Sequence, residues 1–164
     1  MYPRIIRATV SGPLIVLLLL PLLGMAACGS AATPCHPSGT TTGTWPQSNN
    51  DYANTRDAAA SLLSSHNVTQ LCVAWTFQVS GFAASGAMAT SPIVQSGIVY
   101  LQDLQSNVYA INLTSGTLKW EHRYNSANGG PNGVAVDQGT VFVESSMQTI
   151  AALDAATGTQ LWSR

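Results

Sequence analysis

The sequence predicts an all-β fold, an incomplete β-propeller made of four-stranded antiparallel blades. Only 8% of the residues are charged, where about 25% is usual for a globular domain. The stretch 90–120 recurs at 132–162 without a gap, and each copy contains short apolar runs separated by turn residues. A period of about 40 to 45 residues is typical of propeller blades. No apolar stripe of helical period occurs in either copy, which excludes a helical solenoid.

The first 27 residues predict an export signal of the lipoprotein type. Arg4 and Arg7 precede a strongly apolar stretch, and small residues follow it up to Cys28. Such a stretch enters the membrane while the arginines stay cytoplasmic. Cys28, after two alanines, resembles the bacterial lipobox cysteine, whose thiol is diacylated. The alternative is a retained membrane anchor over residues 8–27. Both predict an exported protein, anchored in the cell envelope on the extracytoplasmic side of a membrane.

Residues 28–44 are small, polar and proline-containing, which predicts a flexible tether between the lipid and the folded body. If Cys28 is lipidated, Cys35 and Cys72 remain, and export makes a disulfide between them chemically possible. The alternative is that Cys35 lies free in the tether and Cys72 is buried in a strand. His66 and His122 are isolated, and no residues with metal-ligand spacing accompany them, so no metal site is predicted.

The repeat divides the rest of the chain into a leading segment (45–86), a first blade (87–122) and a second blade (130–164). The offset between the copies is 42 residues. Seven positions are identical: Val94, Gly97, Val99, Ala110, Gly116, Thr117 and Trp120 recur as Val136, Gly139, Val141, Ala152, Gly158, Thr159 and Trp162. Two blades and a leading segment are too few to close a ring, and ring closure is what hides the sheet edges of a propeller.

Each copy predicts four strands. They cover 93–94, 98–101, 107–113 and 118–120 in the first copy and 134–136, 141–144, 149–153 and 160–162 in the second. Before the last strand, Gly116 and Gly158 supply the positive φ that a three-residue hairpin with a bulge requires. Asn112 and Asp154 can accept hydrogen bonds from backbone amides of the same turns.

Tryptophans mark the contacts between the modules. Trp120 and Trp162 occupy the same place in the last strand of each copy, and Trp75 in the leading segment is similar to an earlier copy. One blade cannot bury both faces of its sheet alone, so large flat side chains between neighbouring blades stabilise the array. We therefore expect the three indoles to lie between modules.

The pattern Ala-x-Asp/Asn-x-x-x-Gly-x-x-x-Trp occurs at 110–120 and 152–162 and resembles the tryptophan-docking motif of pyrroloquinoline-quinone (PQQ) dehydrogenase propellers. Trp45-Pro46, residues 51–56 and residues 71–77 look like the opening segment of the quinoprotein alcohol dehydrogenases. The resemblance thus covers residues 45–164. It implies a blade-docking role for Trp75, Ala110, Gly116, Trp120, Ala152, Asp154, Gly158 and Trp162.

The family resemblance implies oxidation of an alcohol or sugar by PQQ, with calcium polarising a quinone carbonyl. Several positions depart from that pattern. Ala89 stands where the family tends to have glutamate, residues 126–131 lack an adjacent cysteine pair, and Asn132 replaces the arginine that would pair with an anionic quinone. Ser145 falls on a position that often offers a hydroxyl to the cofactor. The catalytic base and the calcium ligands would lie downstream, so no catalytic or metal residue is assigned.

Two functions follow from these resemblances. The first is the N-terminal part of a quinoprotein dehydrogenase, inactive and without cofactor on its own, with PQQ and calcium expected in the full-length protein. The second is a non-catalytic scaffold, because the outer-membrane assembly lipoproteins use the same repeats. The expected partners are a membrane, reached through the lipid anchor, and further blades downstream. The chain has no basic run, which argues against a nucleic-acid partner.

Overall fold

The computed structural model describes residues 43–58, 61–80, 87–88, 90–128 and 133–164, which belong to one compact unit, Pro34–Arg164. The strands are β1 Ile93–Gln95, β2 Ile98–Gln102, β3 Val108–Asn112, β4 Leu118–His122, β5 Ala135–Asp137, β6 Thr140–Ser146, β7 Thr149–Asp154 and β8 Gln160–Ser163. One 3₁₀ turn, Val68–Gln70, precedes them, and no α-helix occurs in the described ranges. The all-β prediction is confirmed.

The strands form two antiparallel sheets, ordered β1-β2-β3-β4 and β5-β6-β7-β8. Their registers repeat at the offset of 42 residues seen in the sequence: Tyr100 pairs with Ala110, and Phe142 pairs with Ala152. Even the irregularity recurs, because the register between the third and fourth strands shifts after Ala110 in the first sheet and after Ala152 in the second. The two predicted four-stranded blades are therefore confirmed.

The turn before the last strand has the same construction in both blades. The side-chain oxygen Oδ1 of Asn112 accepts hydrogen bonds from the amides two and three residues further on, at 3.0 and 2.9 Å. Asp154 Oδ1 does the same at 3.0 and 2.8 Å. Gly116 and Gly158 follow in the left-handed region, with φ of +69° and +72°. The polar side chain therefore replaces backbone hydrogen bonds where the chain reverses.

The largest core cluster lies between the two blades. It contains side chains from one face of each sheet: Ile93, Tyr100, Val108, Ala110 and Trp120 from the first, and Val134, Val141, Val143, Ala151 and Leu153 from the second. A second cluster covers the opposite face of the first blade, where Val99, Leu101, Tyr109 and Ile111 contact Trp75, Phe77 and Val79 of the leading segment. The first blade is consequently buried on both faces.

The leading segment contacts the first blade at two places. Trp45 and Val94 exchange two backbone hydrogen bonds of 2.8 and 2.9 Å, which adds a short bridge to the free edge of β1. Further along, residues 71–80 run past the first blade, and the Phe77 ring meets Tyr109 edge-on at a centroid distance of 5.5 Å. The segment thus covers a sheet face that would otherwise be exposed.

Cys72 lies in this leading segment, outside any strand, and its side chain is exposed. It is disulfide-bonded, and its partner lies outside the described residues. This finding differs from the alternative in which Cys72 is a buried strand residue, because the segment passes over the sheet surface at this point instead of entering the sheet.

Several sequence predictions fall outside the described residues. They are the export signal 1–27, the lipidation site Cys28, Cys35, and the substituted family positions Ala89 and Asn132. Within the ranges that the structure describes, no helix is both long and apolar enough to span a bilayer.

Candidate functional site

The buried polar side chains gather at one end of the two sheets. Gln102, Asp103, Ser106 and Asn107 belong to the β2–β3 hairpin, and Ser145 lies near the end of β6. We call this the connection end, because the chain leaves β4 here on its way to the next blade. The opposite end of each sheet carries only short turns. Buried polar groups need partners, and their concentration here makes the connection end the candidate site of these two blades.

Asp103 is the centre of this cluster. Its Oδ1 accepts bonds from the amides of Gln105 at 2.8 Å and Asn107 at 2.9 Å. Its Oδ2 accepts from Asn107 Nδ2 at 3.0 Å and from the Tyr109 hydroxyl at 2.7 Å. A buried carboxylate is tolerated when several donors compensate for its lost hydration. These four bonds give Asp103 the role of closing the hairpin and leave it poorly placed to act as a base.

Tyr109 extends the network from Asp103 to the leading segment. Its hydroxyl oxygen accepts a bond of 2.9 Å from the Ser80 amide, and Ser80 Oγ donates to Glu121 Oε1 at 2.7 Å. Arg123 Nε lies 2.9 Å from the same carboxylate. Partial burial raises the pKa of Glu121, but the bonds from Arg123 and Ser80 outweigh burial and hold this pKa below its usual value. The network therefore fastens the leading segment to the outer strand of the first blade.

The hairpin also fixes the start of the connection between the blades. Asn107 Oδ1 accepts bonds of 3.0 Å from the amides of Tyr124 and Asn125. Asn128 Nδ2 donates to the Asp103 carbonyl at 3.0 Å. Side-chain amides thus hold an irregular stretch of backbone that pairs with no strand in the described part of the chain. This explains why the hairpin is polar although it is buried.

Gln102 joins the two blades at the connection end. Its Nε2 donates to the carbonyl of Glu144 in the second blade at 2.6 Å and to the Ser106 carbonyl at 3.3 Å. Gln102 Oε1 and Ser106 Oγ are buried and have no hydrogen-bond partner among the described residues. Buried polar atoms of this kind are normally satisfied by ordered water. Both residues are fully inaccessible, so nothing as large as a cofactor reaches them.

Two of the predicted tryptophans lie against glycine turns. Trp75 packs on Gly116, where an added Cβ would come within 2.5 Å of the indole, and Trp120 packs on Gly158, where the corresponding distance is 2.6 Å. Each indole also donates from Nε1 to a carbonyl of the turn it covers, Trp75 to Leu113 at 2.8 Å and Trp120 to Ala155 at 2.9 Å. The structure thus contains two copies of the same contact between modules. We call this contact a joint: an indole covers a glycine turn and donates a hydrogen bond to a carbonyl of that turn.

The remaining docking residues differ in their surroundings. Ala110 and Ala152 are fully buried beside the last strands. Trp162 is 44% exposed, although it occupies the same place in the second blade as the buried Trp120 in the first. Hydrogen bonds from the Thr157 side chain and amide hold the pKa of Asp154 below its usual value.

Ser145 and the two histidines are not arranged as a catalytic or metal-binding group in the described structure. Ser145 is buried, and its hydroxyl donates to the Thr149 carbonyl across the β6–β7 hairpin at 3.4 Å, a long contact. His122 Nδ1 lies 2.9 Å from the Gly158 carbonyl, and its ring packs against Tyr124, so it belongs to the joint between the blades. His66 is exposed. In the described part of the chain, no group of three or more His, Cys, Asp or Glu residues could hold a metal.

Comparison with known proteins assigns the chain to a family. A family model described as "Glucose/ethanol/alcohol dehydrogenase, beta-propeller domain" matches residues 45–136, more than half of the chain. The chain belongs to this family of PQQ β-propellers. A second model, for the outer membrane protein assembly factor BamB, matches residues 125–164.

Curated relatives of the PQQ propeller family are dehydrogenases. The chain is 32% identical over 72% of its length to a quinohemoprotein alcohol dehydrogenase of Comamonas testosteroni. It is 30% identical over 87% of its length to a 1-butanol dehydrogenase (cytochrome c) of Thauera butanivorans. These matches cover only 18% and 21% of the two relatives. The chain therefore spans about a fifth of the curated relatives it matches.

Solved structures agree with the family assignment. The quinohemoprotein alcohol dehydrogenase of Comamonas testosteroni superposes with a TM-score of 0.65 at 29% identity, over 76% of this chain and 20% of that one. The quinohemoprotein alcohol dehydrogenase ADHIIG of Pseudomonas putida HK5 gives 0.67 at 29% identity, over 74% and 19%. The fold is that of a partial PQQ-type propeller.

Among the described residues, Ser145 is the candidate that the sequence resemblance assigns to the PQQ cofactor. Ser145 offers a hydroxyl, but it is buried and turned into its own hairpin. The buried unpaired atoms of Gln102 and Ser106 are inaccessible to such a ligand. At the sequence level, Ala89 and Asn132 replace the glutamate and arginine that the resemblance implies. The described residues of these two blades therefore present no cofactor-binding set.

Sequence reasoning missed the polar cluster at the connection end. Gln102, Asp103 and Asn107 stand between two apolar runs, where a polar hairpin is normally exposed. The available signal was the spacing of Asp103 and Asn107, which allows an aspartate to bond amides two and four residues further on. Nothing in the sequence indicated that the second blade would cover Gln102.

Proposed function

We propose that this chain forms the first two blades of an alcohol-oxidising quinoprotein dehydrogenase. The observation that carries the proposal is the family match over residues 45–136 together with the relatives of which the chain covers about a fifth. PQQ and a metal ion would supply the oxidation chemistry in the complete ring. The role of the present residues is structural: they start the ring and hold its first blades in register. We expect the 164-residue chain alone to be inactive.

Titration with PQQ and calcium tests this proposal. The full-length gene product, followed by quinone absorbance, should bind the cofactor and oxidise primary alcohols in a dye-linked assay. The 164-residue chain should do neither, because its described residues present no cofactor-binding set. Absence of binding by the full-length product at high micromolar PQQ would contradict the dehydrogenase function.

A non-catalytic scaffold in the cell envelope is the second candidate function. It is favoured by the BamB model over residues 125–164 and by the substitutions at Ala89 and Asn132. The same titration separates the two candidates, since a scaffold binds no PQQ. Pull-down from solubilised envelopes with the full-length product as bait would then be expected to recover membrane proteins.

We further propose that the protein is exported and held at the extracytoplasmic face of a membrane by acylated Cys28. The support is the basic, apolar and small-residue order of residues 1–27. Mass spectrometry of the purified protein should show a new N-terminus at Cys28 that carries acyl chains. In a detergent phase partition, the wild-type protein should enter the detergent fraction, and the Cys28→Ser variant should remain in the aqueous fraction. An unmodified leader in the wild type would contradict the lipid anchor.

A further inference from the structure

Large apolar side chains are exposed together in residues 61–73 of the leading segment, which we call the apolar loop. Five of them are between 49% and 90% exposed: Leu62, Leu63, Val68, Leu71 and Val73. Single exposed apolar side chains are normal, whereas several in one short stretch indicate a surface that contacts another apolar phase. The joints and the polar network described above use residues 75–80 of this segment and none of the apolar loop.

The apolar loop is held in shape by hydrogen bonds within itself. The Asn67 side chain accepts from the Ser64 amide at 2.8 Å and donates to the Leu62 carbonyl at 2.8 Å. The Val68 amide donates to the Ser64 carbonyl at 3.0 Å. Acceptors inside the loop also satisfy the amides of residues 63, 66, 67, 70 and 71. Amides that are paired within a segment need not be hydrated, so the loop can leave water without losing backbone hydrogen bonds.

The apolar loop carries no acidic residue, lysine or arginine. Residues 58–102 contain no Asp, Glu, Lys or Arg, and His66 is the one basic side chain of the loop. The loop also lacks tryptophan, tyrosine and arginine, the residues that dominate the binding energy of protein interfaces. An uncharged aliphatic surface suits a lipid bilayer, because its insertion brings no permanent charge into the hydrocarbon and removes aliphatic groups from water.

The disulfide of Cys72 joins the apolar loop to the chain next to the proposed lipid anchor. The sequence contains three cysteines, so the partner of Cys72 is Cys28 or Cys35. An acylated Cys28 has no thiol for a disulfide, and the proposed anchor therefore leaves Cys35 as the partner. The chain from Cys28 to Cys35 reaches about 25 Å at most when it is fully extended. A lipid on Cys28 would thus keep the disulfide within that distance of the bilayer.

We propose that the apolar loop inserts into the surface of a lipid bilayer and gives the protein a membrane contact besides acylated Cys28. The proposal rests on the lipid anchor of the proposed function. A bilayer is chosen over a protein partner because the disulfide keeps the loop near the anchor and because the loop is aliphatic and free of acidic, lysine and arginine side chains. Insertion is driven by the transfer of apolar groups, so at neutral pH it requires neither anionic lipid nor low salt.

Vesicle flotation without the anchor tests the loop by itself. The full-length gene product lacking residues 1–28 should float with phosphatidylcholine vesicles equally well at low and at high salt. The double variant Leu62→Ser/Leu63→Ser should bind roughly tenfold more weakly or less, because two exposed leucines no longer enter the bilayer. Met147→Ser is the matched control, since Met147 is 66% exposed on the second blade, and it should float like the wild type. Circular dichroism should show that all three proteins are folded.

A spin label measures the position of the loop in the acylated protein. With Cys28 acylated and the other two cysteines paired, Leu62→Cys introduces a single free thiol for a nitroxide. In phosphatidylcholine proteoliposomes, this nitroxide should be relaxed more by oxygen, which concentrates in the bilayer, than by a water-soluble nickel complex. The nitroxide at Met147→Cys should show the opposite preference.

Several results would overturn the proposal. In flotation they are equal binding of the wild type and the double leucine variant, no binding by either, or binding that high salt removes. In the acylated protein the contradicting result is free access of the nickel complex to the label at Leu62→Cys. A label that neither agent reaches in the absence of lipid would also overturn it, because a downstream part of the chain or a second copy would then cover the loop.

Failure of the lipid anchor is recognised separately. Mass spectrometry would then show an unmodified Cys28, whereas flotation of the product without residues 1–28 does not depend on acylation and still decides whether the loop inserts. Peptide mapping of the disulfide adds a second check. A bond between Cys35 and Cys72 is expected, and a bond between Cys28 and Cys72 would overturn both the anchor and the proposed contact beside it.

Discussion

Equivalent residues of the two blades have the same internal geometry and opposite surroundings. Trp120 is 8% exposed and Trp162 is 44% exposed, although each stacks against the aromatic residue of its own second strand at 6.1 Å. The difference is the neighbour, since the second blade covers Trp120 and the described residues place nothing comparable over Trp162. The geometry within a blade is therefore set by the repeat, whereas the burial of its tryptophan depends on what packs against that blade.

The largest expected difference in stability is between alanine substitutions of the two equivalent tryptophans. Trp120→Ala should lower the free energy of unfolding by about 3–5 kcal/mol, because it empties a closed joint. Trp162→Ala is the matched control. It should lower the free energy of unfolding by about 1 kcal/mol or less, because the Trp162 side chain is already 44% exposed. Urea unfolding followed by circular dichroism measures both. Equal losses would show that Trp162 is covered in solution.

The glycine under Trp120 gives the next effect. Gly158→Ala places a Cβ only 2.6 Å from the indole carbon Cε3 of Trp120, at a residue whose φ is +72°. Gly139→Ala is the control, because Gly139 has a similar φ of +77° and no atom within 4 Å of the added Cβ. We expect a loss of about 1 kcal/mol at Gly139 from backbone strain and a further loss of about 1–3 kcal/mol at Gly158 from overlap.

Equal stability of the two glycine variants would contradict this expectation. If Gly139→Ala and Gly158→Ala have the same urea midpoint, the indole of Trp120 moves aside without cost, and the joint is not closely packed. After labelling with 5-fluorotryptophan, the ¹⁹F signal of Trp120 distinguishes the two cases, because a displaced ring would gain solvent exposure.

The two blades also differ at the connection end. Asp103 and Ser145 are equivalent by the repeat, yet Asp103 accepts short hydrogen bonds at both carboxylate oxygens while the Ser145 hydroxyl makes a long contact of 3.4 Å. Asp103→Asn should destabilise the protein by about 2–3 kcal/mol, since donors to a buried charge are left facing an amide. Ser145→Ala should change stability by about 0.5 kcal/mol or less. Thermal unfolding measures both variants, and a Ser145→Ala loss as large as that of Asp103→Asn would give the serine an unrecognised structural role.

The sequence predicted the joints better than the polar cluster, and the reason is physical. A joint needs particular residues, an indole and a glycine, and these recur at a fixed spacing that a repeat reveals. The role of Gln102 depends on the backbone carbonyl of Glu144 in another blade, which no side-chain pattern encodes. Asp103 and Asn107 had the composition of an exposed hairpin, and only the packing of the leading segment and of the connection against them buries it.

The smallest expected effect is on the pH dependence of stability, to which the turn before the last strand contributes in the second blade and not in the first. Asp154 and Asn112 accept equivalent amide bonds, but only Asp154 titrates, and bonds from Thr157 lower its pKa from 3.8. A lowered folded-state pKa stabilises the protein above the unfolded-state value and ceases to do so as the pH falls through the folded-state value. The urea midpoint of the wild type should therefore fall more steeply below about pH 4 than that of Asp154→Asn. Asn112→Asp should add the same dependence to the first blade, and parallel curves for all three proteins would mean that these turn carboxylates do not couple to folding.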